Sequence, residues 1–81
     1  MAIDLETKIG NGRRLLETSV EGISGEGLQR LSGQVEITRE LIESNLGLYL
    51  RRKISGNVVL EARRVMEELE NMHTKILELL K

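Results

Sequence analysis

The chain has 81 residues, no cysteine, no proline and one aromatic side chain, Tyr49, with a formal net charge of −1 and 31% charged residues. This excludes disulfide staples, thiolate chemistry and cysteine-held zinc, confines the core to Leu, Ile, Val and Met in a single helical domain over 1–81, and leaves no bulk charge to drive binding to nucleic acid or acidic membranes. No apolar run reaches the roughly 18 residues that span a bilayer, and Asp4 and Glu6 sit where a secretory leader would be positive, so the expected location is the cytoplasm.

Leu5, Ile9, Leu16, Val20 and Ile23 recur at helical spacing and predict a first helix over about 3–21. Gly10-Asn11-Gly12 interrupts it with residues that also suit a tight turn, and Arg13-Arg14 follow, as they would in a phosphate-binding loop. A hairpin would need alternating apolar residues on both sides, and these are missing. A phosphate loop would need a preceding strand and a Gly-Lys-Ser/Thr ending. Ile9 and Leu16 instead keep one helical phase across the glycines. Each glycine costs a helix about 0.8–1 kcal/mol relative to alanine, so this helix is expected to be the least stable. Gly12 falls on the apolar stripe, where the lack of a side chain permits close helix approach.

The second helix is expected over about 25–52, capped by Ser24, with Leu28, Leu31, Val35, Thr38, Ile42, Leu46 and Tyr49 on one face. Thr38 and Asn45 interrupt that seam with polar groups, which can fix register between helices. A second set, Ile37, Leu41 and Leu48, lies more than about 90° round the helix from the first. The third helix, about 56–80, carries Val58, Ala62, Val65, Leu69, Met72, Ile76 and Leu79 in steps of three and four, flanked by Val59, Met66, His73 and Leu80, with Ser55 as its cap. Leu60 lies off this stripe. The two stripes are out of phase and Lys53–Asn57 holds turn residues, so the chain is expected to break there. The fold expected is all-α: an antiparallel three-helix bundle, a long hairpin of helices two and three with a shorter N-terminal helix folded back on it.

In that topology Arg13, Arg14, Arg51, Arg52, Arg63 and Arg64 share one half of the bundle and become candidate anion contacts. Residues 1–14 and 41–66 hold eight basic and four acidic side chains; the remainder holds four and nine. The spacing also allows Arg13–Glu17, Arg39–Glu43, Arg63–Glu67 and Arg64–Glu68 pairs along single helices.

His73 is the only histidine, with Glu70 alone at helical spacing for a metal. Ser19, Ser24, Ser32, Ser44 and Ser55 occupy cap, turn or exposed positions. Neither catalysis nor a cofactor nor a metal is expected. Ser32-Gly33-Gln34-Val35-Glu36 is similar to the Ser-Gln-x-x-Asp-like signature of the helical-hairpin aspartyl-phosphate phosphatases of sporulation phosphorelays, with an inserted glycine and Glu for Asp. Size, helicity and the stretch Ser44 to Arg52 resemble the small helical chaperones and structural subunits of type III secretion. No site residues carry over from either family. The apolar excess at Ile37, Leu41, Leu48 and Leu60 points to a non-enzymatic protein–protein interaction module, a regulator, adaptor or chaperone-like subunit, that forms a homo-oligomer or holds a protein partner. The alternative is a helical nucleic-acid-binding protein using the arginine clusters, against which stand the lack of stacking aromatics and a sequence pI of 5.8.

Overall fold

The computed structural model describes residues 4–50 and 56–81. Three helices account for nearly all of them: α1 (Asp4–Leu16), α2 (Gly25–Leu50) and α3 (Gly56–Leu80). They pack as the expected bundle, with α2 and α3 making the most extensive contact and α1 lying against both. The molecule is rod-like, 42 × 19 × 17 Å, which matches the roughly 1.5 Å rise per residue of its two long helices.

The core is one layer of aliphatic side chains between the three helices. Leu5 and Ile9 of α1, Leu28, Leu31, Val35, Ile42 and Leu46 of α2, Ala62, Val65, Leu69 and Ile76 of α3, and Val20 between α1 and α2 form one continuous cluster. No polar or charged side chain is buried among the described residues. Thr38 and Asn45 stay at the edge of the seam, half-buried. The Asn45 side-chain amide donates to the Leu41 carbonyl at 2.8 Å, so it is satisfied within its own helix.

Ser24 caps α2 as expected. Its Oγ accepts from the Gly27 N–H at 3.1 Å, and its carbonyl accepts from the Leu28 N–H at 2.9 Å. Ile23, immediately before the cap, packs on the core and closes the helix start like a staple. The proposed Ser55 cap, the side chain of Tyr49, and Arg51, Arg52 and Lys53 lie outside the described residues or side chains. α2 and α3 pack against one another, so they are two helices and not one rod, as the change of phase between their stripes requires.

Two expectations are corrected. The first helix ends at Leu16, not near residue 21. The Thr18 N–H donates to the Leu15 carbonyl at 3.0 Å, tightening the last turn, and the Thr18 hydroxyl donates to the Arg14 carbonyl at 3.4 Å. Serine and threonine offer the backbone such alternatives to a continuing helix. Gly22 then turns the chain with φ at +79°, a conformation that costs other residues energy. Val20 is buried because the connection crosses the bundle end, not because it is helical. The second correction is Leu79, which is exposed although it lies on the α3 stripe. The connection meets α3 at Asn71, Met72 and Lys75, about one turn short of it.

The glycines of α1 separate by environment. A Cβ on Gly10 would meet nothing within 4 Å, whereas one on Gly12 would stand 2.7 Å from Val65 Cγ1, 3.2 Å from Leu69 Cδ1 and 3.3 Å from Ile42 Cδ1. All three helices converge at Gly12, and the nearest neighbour is a β-branched side chain with little rotamer freedom.

Gly10→Ala should therefore raise the urea midpoint, by a stability gain of about 0.8–1 kcal/mol. Gly12→Ala should lower it despite the same gain in helix propensity, since overpacking costs about 1–3 kcal/mol. Leu69→Ala, at a fully buried position, should cost about 2–5 kcal/mol; an unchanged midpoint would refute the assigned core.

Candidate interaction surface

The second apolar set of α2 stands in solvent. Ile37, Leu41 and Leu48 are 58%, 40% and 60% exposed. They belong to a longer row, Arg30, Gln34, Ile37, Leu41, Ser44 and Leu48, whose steps alternate four and three, and every member is exposed. This is the spacing of a helix–helix seam. It runs along α2 at roughly 140° from the buried row, so both sides of one helix are shaped for packing and only one is used among the described residues.

The row has a neighbour from α1. Asn11, Arg14, Leu15 and Thr18 face Gln34, Ile37 and Thr38 across an open groove of about 450 Å³. Leu15 packs partly on the core and presents the rest of its side chain to the groove beside Ile37. It was not among the residues singled out from sequence. The available signal was its position a quarter-turn off the α1 stripe, the same signal that marks Leu41 on α2.

Leu60 is 66% exposed but does not join this surface. It borders a separate depression between α1 and α3, with Arg13, Glu61, Arg64 and Glu68. Leu77 and Leu79 are exposed near the end of α3, a third location.

The arginines are dispersed in the same way. Arg13 pairs with Glu61 across the α1–α3 interface rather than with Glu17, which lies past the end of α1. Arg14 lines the α1–α2 groove, and Arg64 borders the α1–α3 depression. Arg63 is exposed on α3. Arg51 and Arg52 lie outside the described residues. Of the four pairs allowed by spacing, Arg39–Glu43 forms, at 3.4 Å. Between helices, His73 Nε2 stands 3.7 Å from Glu36 Oε2, a contact that becomes an ion pair when the imidazole is protonated. Among the described residues no group of His, Asp and Glu is placed to hold a metal ion, and no helix is long and apolar enough to cross a membrane.

Comparison with protein families, with curated proteins and with solved structures finds no match to this chain.

The Arg13–Glu61 pair is more than 40% exposed on both sides, where such pairs are worth about 0–1 kcal/mol. Arg13→Ala should shift the denaturation midpoint little, and less still at 1 M salt, where screening operates over about 3 Å. A large loss would show that the Arg13 stem, and not its charge, seals the α1–α3 contact.

Proposed function

We propose that this protein is a small non-enzymatic interaction module, a regulator, adaptor or chaperone-like subunit of the cytoplasm, which works by packing the outer face of α2 against a helix of another chain. The observation that carries this is the exposed Arg30–Leu48 row with its alternating spacing and the three large aliphatic side chains, Ile37, Leu41 and Leu48, among its last four members. Scattered apolar residues on a protein surface need no explanation. A row at helix-packing spacing, continued by Leu15 across a groove, is a contiguous patch of the kind that marks interaction sites. Helix-in-groove recognition uses anchors at such spacing. The open, shallow form of the grooves supports a macromolecular partner better than a small substrate, whose sites enclose most of the ligand.

The test is the double substitution Leu41→Gln with Leu48→Gln. Helicity and denaturation midpoint should stay near wild type, because both side chains are largely outside the core. Self-association, or retention of a defined host protein by the immobilised chain, should be lost. Collapse of helicity would place these residues in the fold's own core. A wild type that neither self-associates nor retains any partner would remove the basis of the proposal. Salt-dependent binding of duplex nucleic acid, abolished by Arg63→Glu with Arg64→Glu, would replace it with nucleic-acid binding.

A further inference from the structure

We infer that Asn11 is a self-modifying site: when α1 unwinds, its side chain cyclises with the Gly12 nitrogen, and the isoaspartyl link that results keeps α1 from re-docking. This concerns α1 alone and is independent of what the outer face of α2 holds.

Asparagine is among the thermolabile side chains, because the backbone nitrogen of the next residue can attack its side-chain carbonyl. A side chain on that next residue crowds the attack, whereas glycine has none and turns freely. The four asparagines of the chain, Asn11, Asn45, Asn57 and Asn71, precede Gly12, Leu46, Val58 and Met72, so Asn11 alone has the unhindered neighbour. Asn11 is also exposed to water, while the Asn45 amide is tied to the Leu41 carbonyl.

The Gly12 nitrogen gives its proton to base and bonds to Asn11 Cγ, and the side-chain nitrogen leaves as ammonia. A five-membered cyclic imide has then closed. Water opens it at the side-chain carbonyl to give aspartate, or at the main-chain carbonyl to give isoaspartate. One water is consumed for each ammonia released. Aspartate leaves the backbone as it was. Isoaspartate carries the main chain through the former side chain and lengthens it by one carbon.

The helix is the gate. While α1 is wound, the Gly12 N–H is held by the carbonyl four residues back and Asn11 ψ stays at the helical value of about −42°, so the ring cannot close. The gate is weak at this point. Gly10-Asn11-Gly12 joins three poor helix formers inside a helix of 13 residues. A Cβ on Gly10 would meet nothing within 4 Å, so packing does not call for that glycine. The consequence of the longer link is large because Gly12 is the contact point of three helices. A Cβ there would already stand 2.7 Å from Val65 Cγ1. An added main-chain carbon at the preceding residue displaces Gly12 and breaks the hydrogen-bond ladder between 4–10 and 12–16, each too short to stay helical unaided.

The intact chain is incubated in warm, mildly alkaline buffer, folded or unfolded in urea, and its tryptic peptide 9–13 is followed by mass and retention. The acid form should accumulate as separate aspartyl and isoaspartyl peaks, more slowly in the folded chain than in urea. Gly10→Ala should slow the folded reaction, relative to its own rate in urea, by about fourfold to fivefold, the factor that its gain in helix propensity supplies. Isoaspartyl protein isolated by chromatography should lose the helicity of α1. Asn11→Asp, with the same added charge on a normal backbone, should keep wild-type helicity and denaturation midpoint. A folded chain that does not convert, or that converts as fast as the unfolded one, would overturn the gated site. An isoaspartyl protein of wild-type helicity, or an Asn11→Asp protein that itself loses α1, would overturn the lengthened backbone as the block to re-docking.

Discussion

Everything in this bundle is arranged around the absence of one side chain. At Gly12 the backbone of α1 comes close enough to Val65, Leu69 and Ile42 that a methyl group there would collide with them. Helix separation is set by the side chains at the contact, commonly 8–10 Å, and a glycine lets the backbone itself fill the space. Three large aliphatic side chains close over it, and each belongs to a different turn of the hairpin. The two long helices therefore form a trough whose floor is completed by the backbone of α1. The same residue type two positions earlier contributes nothing to this contact. Gly10 only weakens the helix, which makes the pair an internal control on what glycine does for the fold.

The constraint extends to α2. Because α1 is short and lies in the trough, it covers the inner seam of α2 and leaves the outer row free. Polar edge groups mark the boundary between the two. Asn45 bonds back to its own helix, so it neither demands a partner inside the bundle nor blocks one outside.

Much of the fold was legible because period and phase are properties of the backbone. The α2 and α3 stripes, the Ser24 cap and the packing of α2 and α3 as separate helices all follow from spacing, and so does the persistence of helix through Gly10-Asn11-Gly12. What spacing cannot distinguish is burial in a helix from burial in a connection. Val20 and Ile23 continue the α1 period and are covered, yet the backbone between them is not helical, since the chain has to reverse before Ser24. Leu79 shows the converse: it keeps the α3 phase and is exposed, while Leu80 beside it packs on the core. The exposed apolar row was legible at Ile37, Leu41 and Leu48, but Leu15 was not, because its role depends on how α1 is rotated against α2. Leu60 shares the off-stripe signature and lies elsewhere, since angle around a helix does not say which neighbour stands beside it.

The two glycines of α1 also bear on the order in which the structure assembles. With 13 residues, α1 is near the length at which isolated helices are marginal in water even without glycine. The α2–α3 hairpin is built from contacts between consecutive helices and includes most of the buried side chains. It offers α1 a trough to dock in, and that docking supplies the burial a short helix with two glycines needs to be stable. Amide protons of α1 should accordingly exchange through a partial opening that leaves the hairpin formed, the low-energy end of the range that native proteins span. Such an opening uncovers Ile42, Val65 and Leu69 while the hairpin stays intact. The residue that gives the bundle its closest contact thus also sits in the element most readily released from it.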